Sequence, residues 1–234
     1  MKIGIIEAGQ QPSSLAPAFG TYGAMIRRLL GDAHGYTSFR AFAGHLPDDA
    51  AACDGYVISG SACGVYDKLP WIEALTAFLR AARGRAKLVG ICFGHQIMAH
   101  AFGGTVVKAP QGWSVGLHRY ELTRPAPWMD STDAVVCTAS PQDQVVVLPP
   151  SATVHAASAF TPHAVLGYED HPSISFQFHP EFAPDFAHAL LETRRASGLS
   201  DEQHARALAS FEAPNDNARV ARWIGRFLDA EPPS

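Results

Sequence analysis

The stretch KLVGICFGHQIMAHAFGG, residues 87–104, decides the fold. It opens with an apolar run, KLVGI, that is typical of a buried strand, and it continues into an apolar stripe with helical spacing, formed by Ile97, Met98, Ala101 and Phe102. Between the two, G-I-C-F-G places Cys92 between two glycines. A G-x-nucleophile-x-G turn is so tight that flanking side chains would clash, and it presents its central residue at the strand's carboxyl end. Cys92 is therefore a candidate nucleophile.

A cysteine in this position has two interpretations. Cysteine is among the residues most often buried, so Cys92 can be a small core side chain. Alternatively, the free N–H groups and partial positive charge of a helix N-terminus favour a thiolate, and the N–H of Phe93 points at the oxyanion of an acyl intermediate. A second group that accepts and returns protons would decide between them.

Strand-like and helix-like segments alternate on the amino-terminal side of this stretch. Strands are predicted in KIGIIEAG (2–9), GYTSFRAF (35–42) and DGYVISGS (54–61). Helices are predicted in TYGAMIRRLLG (21–31) and PWIEALTAFLRAARG (70–84). The alternation predicts an α/β fold, with a mostly parallel central sheet and helices on both faces.

The carboxyl-terminal side has a different character. From about residue 105 to 180, several short strands follow one another, which indicates a small antiparallel flap or a mixed sheet edge. Helical character returns after residue 181, in 182–197 and about 215–229. The pair Arg194 and Arg195 is expected in a solvated helix end.

Composition limits the class of protein. Of the 234 residues, 47% are hydrophobic and 17% are charged, which fits a globular chain with a substantial core. The formal net charge of -4 argues against nonspecific nucleic-acid binding, and no stretch approaches the roughly 20 apolar residues that span a bilayer. Without a repeat or linker, residues 1–234 are expected to form one domain, with a helical extension over about 182–234.

Cysteine and histidine usage indicates neither disulfides nor metal. The cysteines contain no C-x-x-C pair, and none of the eleven histidines lies in a zinc-binding spacing. We therefore expect free thiols, no metal, no cofactor and a reducing, cytoplasmic location. The N-terminal MKIGIIEAGQ indicates a first strand rather than a signal peptide.

A candidate for the proton-transferring group is found in SISFQFHPE, residues 173–181. Its apolar and polar residues alternate with the period of a strand, so His179 and Glu181 are expected to project the same way at the strand's end. His179 would take and return protons while Glu181 orients the imidazole, as in a catalytic triad with cysteine as nucleophile. The two motifs together indicate an active site more strongly than either does alone.

These motifs resemble those of the class I (triad) glutamine amidotransferases. The resemblance rests on G-I-C-F-G-H-Q at 90–96, F-Q-F-H-P-E at 176–181 and the I-S-G-S turn at 58–61, and it extends over nearly the whole chain. Within the family, S-G-S-x-x-x-V-Y-D at 59–67 looks most like the stand-alone, GMP-synthase-like members. The resemblance implies a flavodoxin-like architecture and hydrolysis of a γ-glutamyl amide.

The resemblance also implies three groups of site residues. The catalytic residues are Cys92 as nucleophile, His179 as general base and acid, and Glu181 as its orienter. The backbone amides that hold the oxyanion belong to Phe93 and to Ser61 or Gly60. The substrate pocket is lined by Gln96, Gln142 and Asp143.

One segment departs from the family pattern. Many relatives carry Ser-His-x-Asp before a Val-x-x-Leu-Pro run, whereas this chain reads S-P-Q-D at 140–143, with Pro141 in place of the histidine. A proline lacks the imidazole and one backbone donor. The second wall of the pocket is therefore expected to differ, and with it the preferred substrate.

The resemblance implies that the chain cleaves glutamine or a γ-glutamyl compound through a γ-glutamyl thioester. The released ammonia can pass to a synthase, which would be a separate subunit because the chain shows no P-loop and no S-G-G-x-D-S-type loop. Alternatively, the chain works alone as a γ-glutamyl hydrolase or peptidase.

Two other classes stay open at this point. One is a non-catalytic family member that binds or regulates a partner. The other is a cysteine hydrolase of the α/β-hydrolase type, in which Asp143 or Asp170 would be the acid between the nucleophile and a late histidine. In that case the His-Pro-Glu motif would be a coincidence.

Overall fold

A computed structural model describes residues 1–110, 112–195 and 198–231 of the chain. The strands are β1 (Lys2–Glu7), β2 (Gly35–Arg40), β3 (Gly55–Ile58), β4 (Lys87–Ile91), β5 (Thr105–Lys108), β6 (Gly116–Leu122), β7 (Ala134–Ala139), β8 (Asp143–Val147), β9 (Ala152–Ala157), β10 (Val165–Tyr168) and β11 (Ser173–Phe176). The α-helices are α1 (Ala16–Phe19), α2 (Tyr22–Leu30), α3 (Pro70–Ala82), α4 (Phe93–Ala101), α5 (Pro184–Thr193), α6 (Asp201–Ser210) and α7 (Asn217–Asp229).

Nine of these strands form one mixed sheet, in the order β2-β1-β3-β4-β11-β10-β9-β6-β7. The pairs from β2 to β11 are parallel, and the pairs from β11 to β7 are antiparallel. Of the nine strands, β10 and β6 therefore run against the direction that the others share. The predicted α/β fold with a mostly parallel sheet is confirmed.

The strands after residue 104 divide between two sheets. Strands β5 and β8 form the separate small antiparallel sheet. Strands β6, β7, β9 and β10 extend the central sheet as a mixed edge, while β11 enters its middle, parallel to β4. Local patterns did not separate these cases, because strand pairing depends on a partner that is distant in the sequence.

Helices cover both faces of the parallel strands. On β1, Ile3 and Ile5 belong to a core that includes Trp223 of α7, whereas Ile6 belongs to a core that includes Leu79 of α3 and Ile97 of α4. Because successive side chains of a strand point to opposite faces, a strand buried on both faces reads as one continuous apolar run. This double burial explains KIGII, GYVI and KLVGI.

The carboxyl-terminal region contains a helix that the apolar pattern did not predict. The expected helical segments appear as α5 and α7, and α6 lies between them. Helix α6 begins with a capping box: Ser200 Oγ accepts from the N–H of Gln203 at 3.1 Å, and Gln203 Oε1 accepts from the N–H of Ser200 at 3.0 Å. Residues 196, 197 and 232–234 of the predicted extension lie outside the described residues.

The described helices are also short. None of them is long and apolar enough to cross a membrane.

Candidate active site

The G-I-C-F-G turn joins β4 to α4 in a strained conformation. Cys92 has φ 54° and ψ -102°, and it is the only non-glycine residue at positive φ within the described residues. A Cβ on Gly90 would lie 2.6 Å from the carbonyl carbon of Gly94, and one on Gly94 would lie 2.3 Å from the oxygen of Ile58. Both glycines are therefore required by close backbone approach, as the sequence pattern predicts.

The side chains of Cys92, His179 and Glu181 meet at the carboxyl end of β4. His179 Nδ1 lies 2.8 Å from Oε1 of Glu181, and the Cys92 thiol lies close enough to the imidazole to act on its pKa. All three residues are at most 6% exposed. Burial alone would lower the pKa of His179, but the neighbouring Cys92 and Glu181 raise it to about 10. The surroundings of His179 thus favour its protonated form.

The turn that carries His179 differs from the strand end predicted for it. Strand β11 ends at Phe176, so His179 and Glu181 do not project from a regular strand. Instead, the His179 N–H donates to the carbonyl of Thr138 in β7 at 2.9 Å, and the imidazole stacks on Phe182 with centroids 3.9 Å apart. The edge strand β7 and the Phe182 ring therefore hold the imidazole in place.

The I-S-G-S turn after β3 lies directly against these side chains. A Cβ on Gly60 would lie 2.9 Å from Cε1 of His179 and 3.7 Å from Cβ of Cys92. The Gly94 N–H donates to the carbonyl of Ser59 at 3.1 Å, which ties this turn to α4. Within the described part of the chain, the amides of Phe93, Gly60 and Ser61 donate to no protein acceptor. They are free to bind an oxygen.

The predicted pocket residues are connected through backbone and amide groups. Gln96 Nε2 donates to the carbonyl of Asp143 at 3.0 Å and to Oε1 of Gln177 at 3.1 Å. The Asp143 carboxylate accepts from the Tyr66 hydroxyl at 3.1 Å, and burial raises the pKa of this carboxyl. The carbonyl of Gln142 accepts from the N–H of Ala109, and its side chain makes no hydrogen bond among the described residues. Gln96 and Asp143 thus lie together, whereas Gln142 makes hydrogen bonds only through its backbone.

Neither aspartate considered for an α/β-hydrolase triad contacts His179. Asp143 faces Tyr66. Asp170 precedes β11, at the opposite end of the sheet from Cys92, where it pairs with Arg83 and His171. Glu181 is the carboxylate that contacts the imidazole.

The sequence interpretation missed Arg194 and Tyr22. Arg194 was expected in a solvated helix end, but it is half-buried, and its Nη1 donates to the carbonyl and hydroxyl oxygens of Ser140. Tyr22 begins α2 and is 7% exposed, with its ring 5.9 Å from that of Phe182. The signal for Arg194 was weak because a basic residue after a helix normally caps it towards solvent.

The site offers no evident metal position. Residues 1–110, 112–195 and 198–231 contain no group of three His, Cys, Asp or Glu side chains arranged to hold a metal ion. The chemistry of the cluster is that of a thiol, an imidazole and a carboxylate.

Comparisons with known proteins bear on the family and the fold of the chain. The family model described as "Glutamine amidotransferase class-I" matches residues 21–194. A Schizosaccharomyces pombe protein described as glutamine amidotransferase-like is 25% identical, over 97% of this chain and 98% of its own length. Gamma-glutamyl peptidase 5 of Arabidopsis thaliana is 32% identical over 60% of each chain. A crystal structure of a glutamine amidotransferase from Thermotoga maritima superposes with a TM-score of 0.76 at 15% identity, covering 98% of this chain and 99% of that one.

Proposed function

Because the chain belongs to the class-I glutamine amidotransferase family, we propose that it is a cysteine hydrolase that cleaves the γ-amide of glutamine or of a γ-glutamyl compound. The observation that carries the proposal is the meeting of Cys92, His179 and Glu181 behind a strained turn. A cysteine beside a histidine that a carboxylate orients is a nucleophile suited to acyl transfer.

In the proposed reaction, Cys92 Sγ attacks the γ-carbonyl carbon, and the carbonyl oxygen becomes an oxyanion. The free amides of Phe93 and of Gly60 or Ser61 stabilise that charge. His179 then gives its proton to the departing amine, and a γ-glutamyl thioester remains on Cys92. His179 next takes a proton from water, whose oxygen attacks the thioester and releases glutamate, while Glu181 stabilises the imidazolium throughout.

The donor pocket is proposed to lie between α4 and the segment 140–143. Gln96 and Asp143 are linked there by a hydrogen bond, and Gln142 lies between Asp143 and Pro141. Pro141 has no side-chain donor to offer a substrate. Because Pro141 lines this side of the proposed pocket, we expect the chain to prefer a different donor from the relatives that carry a histidine there.

Two fates of the released amine remain candidates. The similarity to gamma-glutamyl peptidase 5 supports a hydrolase that acts alone on γ-glutamyl peptides. Membership of the amidotransferase family supports a glutaminase that delivers ammonia to a separate synthase subunit. The free thiols of all four cysteines suit a reducing compartment, and we propose a cytoplasmic location.

The test follows glutamate release from glutamine and from γ-glutamyl dipeptides by wild type and by Cys92→Ala. We expect release by wild type to exceed that of the variant by at least about 1,000-fold for one donor, because the variant lacks the nucleophile. Cys63→Ala, which removes a half-buried thiol outside the cluster, is the matched control and should retain activity. Equal release by wild type and Cys92→Ala from every donor would refute the proposal.

A second measurement separates the two fates. Turnover of γ-glutamyl peptides by the isolated chain, at a rate that a copurifying protein does not change, supports the peptidase. Glutaminase activity that rises when a copurifying subunit binds supports delivery to a synthase.

A further inference from the structure

Part of the Arg194 guanidinium group has no hydrogen-bond acceptor in the described part of the chain. Its Nη1 donates to both oxygens of Ser140, and its Cζ lies 4.9 Å from the centroid of the Trp113 ring. Within the described residues, Nε and Nη2 donate to no acceptor. Because an arginine carries five N–H donors in a rigid fork, Ser140 and Trp113 fix its orientation and leave donors for a ligand.

The backbone connects Arg194 to the reactive cluster. Ser140 follows Thr138 by two residues, and the Thr138 carbonyl accepts from the N–H of His179. Two residues of extended chain span about 7 Å. The guanidinium is therefore held beside the same edge of β7 that positions the imidazole.

Tyr22 approaches the cluster from another element. Its ring stacks on Phe182, which in turn stacks on His179. Burial raises the pKa of Tyr22 to about 12, and Phe182, on which its ring stacks, lines the same small cavity as Arg194. The Tyr22 hydroxyl therefore stays protonated at neutral pH and can donate to a ligand.

Arg194 has no carboxylate partner in the described part of the chain. Its neighbour Arg195 pairs with Glu192 on the surface, at 2.8 Å and 3.2 Å. Glu181, the acid of the cluster, is engaged by His179. A half-buried cation without a carboxylate partner is costly to maintain, whereas a bound carboxylate offsets that cost.

We propose that Arg194, assisted by the Tyr22 hydroxyl, binds a carboxylate of the γ-glutamyl donor and selects donors that carry it. Arginine suits this role because its fork matches a carboxylate. The inference rests on the proposed function, since the carboxylate belongs to the molecule whose amide Cys92 attacks. Two carboxylates qualify: the α-carboxylate of the glutamyl part and the carboxylate of an amino-acid leaving group.

The experiment compares kcat/KM for two pairs of donors. Glutamine is compared with its α-carboxamide, which removes the first carboxylate, and γ-glutamylglycine is compared with γ-glutamylglycinamide, which removes the second. Wild type is expected to prefer the carboxylate in one pair by about 10- to 100-fold, as a charge-assisted hydrogen bond would give. In Arg194→Gln the preference in that pair should fall at least about tenfold, and Arg194→Lys should retain part of it.

The preference is the ratio of two kcat/KM values that are measured on one enzyme preparation. A partly misfolded variant lowers both values by the same factor, so the ratio does not change. Arg195→Gln is the matched control, because Arg195 is exposed and pairs with Glu192. The preference ratios of this variant should equal those of wild type. A purely structural role of Arg194 would lower kcat/KM for all donors by the same factor and leave both ratios unchanged. That result, or a wild type indifferent to the carboxylate in both pairs, would overturn the inference.

Failure of the proposed function gives a different result. If no donor is hydrolysed faster by wild type than by Cys92→Ala, the proposed function falls. If donors are hydrolysed without carboxylate preference, the role of Arg194 alone is wrong.

Discussion

Gly60 lies where any side chain would enter the reactive cluster. A methyl group there would approach Cε1 of His179 to 2.9 Å, closer than Cβ atoms normally come. The imidazole is held by Thr138, Phe182 and Glu181, so it can yield only by leaving its position beside Cys92. The absence of a side chain at residue 60 is thus a condition for the alignment of thiol and imidazole.

Gly60→Ala is therefore expected to lower kcat for the best donor by about 100-fold, because a displacement of about 1 Å misaligns the reacting groups. The free energy of unfolding should fall by about 1–3 kcal/mol from overpacking. Gly225→Ala is the control: a Cβ in that position of α7 meets no atom within 4 Å, so stability should rise by about 0.5–1 kcal/mol at full activity. Full activity of Gly60→Ala would contradict the placement of Gly60.

Glu181 sets the charge of the imidazole. Its carboxylate is one of the groups that raise the pKa of His179 to about 10, so Glu181→Gln should lower that pKa by about one unit or more. The imidazolium is lost as pH rises through its pKa, so the alkaline limb of kcat/KM should move to lower pH. A pH profile of wild type, Glu181→Gln and the exposed control Glu212→Gln measures the shift. An unmoved alkaline limb would contradict the electrostatic role of Glu181.

The turn that carries Cys92 could be recognised from the sequence, because the constraint on its glycines is local. A turn that approaches its neighbours to 2.6 Å admits only glycine, so the turn is visible in G-I-C-F-G. Arg194 was not recognisable in this way. Its inward direction depends on Ser140 and Trp113, which lie far away in the sequence.

At the scale of elements, the end of one strand and the presence of one helix were not predicted. Strand β11 was expected over SISFQF, with His179 and Glu181 at its end, but it ends at Phe176, because the polypeptide turns to bring His179 against β7. Helix α6 was not predicted, since DEQHARALAS has a weak apolar stripe. Its capping box, Ser200 with Gln203, is the signal that identifies its start.

Ser200→Ala tests how much this cap contributes. The variant loses the acceptor of the Gln203 N–H, so the free energy of unfolding should fall by about 1 kcal/mol. Ser151→Ala is the control, because the Ser151 side chain makes no hydrogen bond with described residues, and its effect should stay within about 0.5 kcal/mol. Urea titration measures both, and equal stabilities of the two variants would show that the cap does not hold α6.

At the scale of the whole molecule, the sheet order was beyond the reach of the sequence. The insertion of β11 between β4 and β10 joins segments that are far apart in the chain, and the apolar runs do not specify partners. The layered architecture was predictable, because alternation of strands and helices leaves few other solutions. We propose that residues 1–234 form one domain, since the core that contains Trp223 of α7 also contains Ile3 of β1.

A single domain should unfold in one cooperative step. Tryptophan fluorescence reports on all four tryptophans, among them Trp71 of α3 and Trp223 of α7, which pack into the cores on opposite faces of the sheet. Far-UV circular dichroism reports on all helices. The urea transitions by the two probes should coincide. Two separate transitions would show that the carboxyl-terminal helices unfold on their own.

The position of β11 also governs when the reactive cluster can exist. During synthesis Cys92 leaves the ribosome several seconds before His179, because chains grow at roughly 5–20 residues per second. The G-I-C-F-G turn can form in that interval, but the Cys92 thiol has no imidazole beside it until β11 pairs with β4. We therefore expect Cys92 of a nascent chain to be catalytically inactive. The order of the segments in the sequence delays its activity until the sheet is complete.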